Sequence, residues 1–81
     1  MEIMKPKHIY TFATRNGRCV VYIDSVIFFS FNQLDFKGMY AYKDDTNLYG
    51  LDIYLADTTM EIYFKTKEAW LNTLKLLDAN L

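Results

Sequence analysis

Leu51-Asp52-Ile53-Tyr54-Leu55 and Met60-Glu61-Ile62-Tyr63-Phe64 decide the fold. In the first, Leu51, Ile53 and Leu55 alternate with Asp52 and Tyr54; in the second, Met60, Ile62 and Phe64 alternate with Glu61 and Tyr63. That is the period-2 pattern of a strand with one buried face. Ala56-Asp57-Thr58-Thr59 lies between them, short, polar and rich in residues whose side chains bond their own backbone. The two runs are therefore expected to form an antiparallel hairpin with both apolar rows on one side. An apolar row needs a cover, and the residues that follow supply it. Thr66 is a good helix N-cap, its hydroxyl able to accept from an open amide of the first turn, and Glu68 sits where the helix dipole favours negative charge. Trp70, Leu74, Leu77 and Leu81 then recur at helical spacing and fall within roughly 60° of arc at about 100° per residue, with Leu71 and Thr73 on the margins. A stripe led by Trp and Leu reads as a core seam laid over the hairpin.

Upstream, Arg15-Asn16-Gly17-Arg18 separates two β-rich runs, and Asn-Gly is the strongest short hairpin signal because a type I′ turn needs positive φ at both central positions. The turn sets the register: Arg15 opposes Arg18, Thr14 opposes Cys19, Phe12 opposes Val21 and Tyr10 opposes Ile23. Asp24-Ser25 then marks a bulge or tight bend before Val26 to Phe31, where Ile27, Phe29 and Phe31 are expected to share a face. Asn32 to Asp35 reads as a turn. Phe36 to Lys43 reads as a weaker strand in which Phe36, Tyr40 and Tyr42 alternate around Gly38, and Asp44-Asp45-Thr46-Asn47 as a polar loop. The expected fold is α+β: a five- to six-stranded, mostly antiparallel meander sheet covered by one C-terminal amphipathic helix. A run of strands sealed by a final helix resembles the layout of pleckstrin-homology-like domains; no motif carries that likeness, and no residue or activity follows from it.

The 81 residues allow one domain, with residues 1–7 a loose leader around Pro6. Apolar residues at 52% and aromatics at 17% exclude a disordered chain, and one Pro with three Gly argues against a flexible or fibrous one. The net charge of −1 hides an asymmetry. Residues 1–18 carry Lys5, Lys7, Arg15 and Arg18 against Glu2, whereas residues 44–66 carry Asp44, Asp45, Asp52, Asp57 and Glu61 against Lys65. Without a global basic surplus, nucleic-acid binding is disfavoured, though a local patch stays open. The single cysteine, Cys19, cannot form an internal disulfide, and no signal-peptide pattern or membrane-length apolar run is present, so a cytoplasmic location is expected.

Catalytic patterns are scarce. A single His8 makes a His-based triad or a multi-His metal site hard to assemble, and Cys19 reads as a small buried hydrophobe. The Asp44–Asn47 acids lack the ligand alternation of a calcium loop, and the three glycines are isolated from one another. The expectation is no enzyme, no cofactor and no metal.

Two surfaces stand out. With the helix on one face, the other is expected to show Tyr54 and Tyr63 beside Asp52 and Glu61, and to show Tyr22 and Val20 from the first hairpin. Tyrosine offers rigid area with a polar tip, which suits an interface; the plainer reading is that cross-strand tyrosines brace the sheet from outside. The second surface is the Arg15-Asn16-Arg18 tip, which is able to grip phosphates beside Tyr10 or Tyr22, or simply to stay solvated and discourage edge pairing. The function expected is a non-enzymatic interaction domain. It binds another protein or a second copy of itself, a homodimer included, through Tyr22, Tyr54 and Tyr63; a small inhibitor encoded by a mobile element belongs to this class. The alternative is a nucleic-acid-binding module using Arg15, Asn16 and Arg18. The sequence does not name the partner.

Overall fold

Six strands and one helix follow one another along residues 8–81, the part of the chain that the computed structural model describes; the expected leader, residues 1–7, lies outside it. They are β1 (Tyr10–Arg15), β2 (Arg18–Ile23), β3 (Val26–Asn32), β4 (Phe36–Lys43), β5 (Tyr49–Leu55), β6 (Thr59–Phe64) and α1 (Lys67–Asn80). A single 3-10 turn, Gln33–Asp35, joins β3 to β4.

The Asn-Gly turn has the conformation its residues demand. Asn16 and Gly17 take φ of 51° and 77°, both in the left-handed region, and β1 and β2 pair as expected from Tyr10↔Ile23 to Arg15↔Arg18. Asp24-Ser25 proves to be a second two-residue hairpin turn, with φ of 53° and 69° and no glycine. What sustains it is the Asp24 carboxylate, which accepts from the Ile9 N–H at 2.9 Å and lies 2.7 Å from His8 Nδ1. The Asp24 N–H in turn donates to the Ile9 carbonyl at 2.8 Å. These bonds offset the strain of left-handed non-glycine residues.

The bulge comes later, inside β3. Val21 opposes Phe29 whereas Tyr22 opposes Ile27, which leaves Phe28 as the extra residue. The expected shared face of Ile27, Phe29 and Phe31 is corrected accordingly. Phe31 is buried and Phe29 packs on the core, but Ile27 turns outward and is 61% exposed. Phe28 reaches sideways to Phe64, with ring centroids 5.5 Å apart, and so bridges the first half of the chain to the second.

The strands form two three-stranded antiparallel sheets, β1-β2-β3 and β4-β5-β6, and this replaces the single meander sheet that the sequence suggested. The break lies at Asn32. Its side chain accepts from the Leu34 N–H at 3.0 Å and caps the 3-10 turn, while the Gln33 N–H donates to the Gly17 carbonyl at 2.9 Å. The chain leaving β3 is thereby tied to the tip of the first hairpin and does not double back along β3. Phe31 and Phe36 stack across the junction at 5.7 Å.

The core joins the inner faces of both sheets: Cys19, Val21 and Phe31 from the first, Leu51, Ile53, Ile62 and Phe64 from the second, and Leu77 from the helix. Thr66 caps α1 as expected, accepting from the Ala69 N–H at 3.1 Å. The helix packs against β1, β5 and β6, so its buried line runs through Thr73 and Leu77, with Trp70, Leu74 and Leu76 at the rim. Leu81, counted in the seam from spacing alone, lies beyond the last turn and is exposed. Trp70 holds its marginal place because its indole N–H donates to the Gly50 carbonyl at 2.9 Å.

Candidate functional site

With Leu51 and Ile53 in the core, the pleat sends Gly50, Asp52 and Tyr54 of β5 to the opposite face, and the ladders place β4 and β6 residues beside them. Three cross-strand rows result: Gly38-Tyr54-Thr59, Tyr40-Asp52-Glu61 and Tyr42-Gly50-Tyr63. Four tyrosines thus surround two carboxylates. Tyr40, Tyr54 and Tyr63 are 58%, 40% and 52% exposed.

Gly50 sets the geometry. It is buried although it faces outward, because the Tyr42 ring lies over it where a Cβ at position 50 would collide with that ring. Tyr40 stacks on Tyr42 with centroids 6.1 Å apart. The Tyr63 hydroxyl donates to Glu61 Oε2 at 3.2 Å. The neighbouring Tyr63 hydroxyl, then burial and the nearby charge of Asp52, push the Tyr42 phenol up to about 12.

The electrostatics of the face are unbalanced. Asp52 directly opposes Glu61 across the β5–β6 ladder, and like charges so placed repel. Among the described residues, neither carboxylate has a cationic side chain within salt-bridge distance, since the one ion pair there is His8–Asp24. Asp52 Oδ1 is moreover buried without a hydrogen-bond partner among those residues. A buried acceptor left unsatisfied costs on the order of 1–3 kcal/mol.

Of the residues expected at a protein-binding face, Tyr54 and Tyr63 are brought together and Tyr22 is not. Tyr22 lies on β2 of the other sheet, half-buried between Thr11 and Ile27, and its neighbour Val20 is 6% exposed rather than outward and open. Tyr40, Tyr42 and Gly50 were not expected there. A register shift between Phe36 and Gly38 turns Phe36 to the core and the two tyrosines outward, whereas strict alternation placed all three on one face. Gly38 inside a strand was the available signal for that bulge.

The basic tip is preordered. Arg15 and Arg18 face each other across the β1–β2 ladder, Arg18 Nη2 donates to Ser30 Oγ at 3.0 Å, and the Gly17 carbonyl is held by Gln33. Tyr10 pairs with Ile23 at the far end of that hairpin, whereas Tyr22, opposite Thr11, lines one cavity with Arg15, Thr11 and Ala13 on the outer face of the sheet.

Cys19, His8 and Asp44 serve the fold. Cys19 is fully buried, which pushes its thiol up and away from reactivity, and His8 is engaged with Asp24 rather than with Cys19. The Thr46 hydroxyl and the Leu48 and Thr46 amides all donate to Asp44, holding its carboxyl below the usual range and closing the β4–β5 loop. Among the described residues, no three of His, Cys, Asp and Glu converge as metal ligands, and no helix is long and apolar enough to cross a membrane.

No family model matches this chain, and neither a curated protein nor a solved structure does.

Proposed function

We propose that the chain is a non-enzymatic interaction domain that binds protein through the outer face of its second sheet, with Tyr40, Tyr42, Tyr54 and Tyr63 as the contact area. The observation that carries this reading is the concentration of exposed tyrosine around two carboxylates that have no cation beside them. Tyrosine offers large, rigid contact area at small entropic cost, and charges left unpaired in the free protein are matched on binding. Tyr42, clamped over Gly50 and stacked on Tyr40, is already ordered before any partner arrives, which lowers the cost of association. The test is Tyr54→Ser combined with Tyr63→Ser. Both side chains lie outside the core, so the variant should keep its circular dichroism and cooperative melting while losing association, whether with a copy of itself or with an isolated partner. A variant that folds and associates like the parent reduces the tyrosines to braces of the sheet. The alternative, nucleic-acid binding at Arg15, Asn16 and Arg18, has in its favour the preordered basic tip and Tyr22 in the cavity that Arg15 lines, and against it a chain of net charge −1.

A further inference from the structure

We infer that the occupant of the tyrosine face is the Arg15–Arg18 hairpin tip of a second copy of this chain, docked head to tail; this rests on the docking face proposed above. The two sheets hold two like-charge pairs of opposite sign in the same local geometry. Arg15 opposes Arg18 across β1 and β2; Asp52 opposes Glu61 across β5 and β6. Directly opposed residues of antiparallel strands have Cβ atoms about 4.5–5.5 Å apart, so the two cations and the two anions are presented at matching separations. Each pair repels internally, and none of the four charges has an ionic partner among the described residues. Bringing one pair onto the other relieves both repulsions at once.

The chemistry at the two ends also fits. Guanidinium groups stack on aromatic rings and bind carboxylates with a planar fork, and the acid pair is ringed by Tyr40, Tyr42, Tyr54 and Tyr63. The tip needs little ordering on docking, since the Gly17 carbonyl is tied to Gln33 and Arg18 to Ser30. Both left-handed turn residues, Asn16 and Gly17, keep the protrusion narrow. Because tip and face are different surfaces, the contact is heterologous: each copy that docks leaves its own face open, and the assembly grows as an open chain unless its rotation closes a ring.

The test uses two variants that neutralise one end each, Arg15→Gln with Arg18→Gln, and Asp52→Asn with Glu61→Gln. Neither touches the core, and both remove a repulsion, so thermal midpoints should not fall. By sedimentation velocity from about 10 μM to about 1 mM, the range in which a small contact of this kind is measurable, the parent should show a mass that climbs past two copies and drops as salt is raised. Each variant alone should self-associate at least about tenfold more weakly, the loss expected when one side of a paired-charge contact is removed. An equimolar mixture of the two should form a 1:1 complex that stops at two copies, because only one intact tip and one intact face remain.

A parent that stays monomeric throughout, a parent whose association survives either neutralisation, or a mixture that stays monomeric each overturns the inference. So does loss of bound single-stranded oligonucleotide, with no change in mass, in the arginine variant, which moves the tip to nucleic acid. The broader reading fails separately. If the Tyr54→Ser, Tyr63→Ser chain assembles like the parent, the tyrosine face is not the docking surface; if that variant loses a complex that the charge variants keep, the face stands and the arginine tip is excluded.

Discussion

The two sheets are built by the same local rules and end with opposite outer surfaces. Each has three antiparallel strands, each carries one register shift, and each sends an apolar face to the shared core. In the first, the outer rows hold Thr11, Ala13, Ile27 and Ser30 with Tyr22 half-buried and Val20 buried among them, and charge is confined to the arginines at the tip. In the second, tyrosines fill the outward rows and the charge sits at the centre. The lesson is that a bulge, more than composition, chooses what a sheet displays. One extra residue at Phe28 puts Ile27 in the open; the shift between Phe36 and Gly38 hides Phe36 and shows Tyr40 and Tyr42.

The largest expected effect tests whether the sheets share one fate. Leu77 is fully buried where the helix meets the common core, so Leu77→Asp should cost about 4–5 kcal/mol or more against a total stability of roughly 5–15, and unfold both sheets in one transition. A variant that loses one sheet and keeps the other, followed by amide exchange, breaks the idea of a common core. Gly17→Val acts on the first sheet alone. No atom blocks a side chain there, but φ of 77° resists a β-branched residue, and the loss should be about 1–2 kcal/mol. Protection should fall for β1 and β2 amides before those of β5 and β6; an unchanged melting point contradicts the strain argument.

A smaller effect has the opposite sign. Asp52→Asn and Arg15→Gln each remove one side of a like-charge pair, one on each sheet, and each should raise stability by about 0.2–1 kcal/mol at low salt, with the gain shrinking as salt rises. Denaturant midpoints decide it, and a loss at either position means that the charge has a stabilising partner. The last effect appears only in alkali, and on the second sheet it belongs to Tyr42. The folded Tyr42 phenol, pushed up to about 12, favours the neutral form. Its stabilising contribution is whole below the unfolded value of about 10 and disappears as pH rises through the folded one. Ultraviolet titration of the seven tyrosines should show a late component near 12 that Tyr42→Phe removes, while burial at Tyr10 raises that phenol independently. A late component that survives the substitution assigns it to another ring.

Much of the fold is legible in the sequence where a turn residue dictates geometry. Asn16-Gly17 determines every pairing between β1 and β2, the alternation around Leu51 and Ile62 sets the inner face of the second sheet, and Thr66 marks the start of the helix. Three things are not legible. The separation into two sheets depends on Asn32 and on a bond from Gln33 to Gly17, a contact between residues far apart in the chain. The bulge at Phe28 falls among apolar residues, so parity reverses there with no change of composition to announce it, and at the shift in β4 only Gly38 points to one. In the candidate site, Tyr54 and Tyr63 follow from alternation alone. Tyr42 and Gly50 do not, because their relation is a ring on one strand filling the space above a glycine on the next.

The packing of α1 on β1 has a kinetic consequence. Every ladder in the molecule joins strands that are neighbours in sequence, so all four hairpin pairings close short loops and can form quickly. The helix alone brings the two ends of the described chain together, and its docking must wait for the largest loop closure. Its docking completes the core that the two sheets already share, and its release bares the inner faces of both around Leu77.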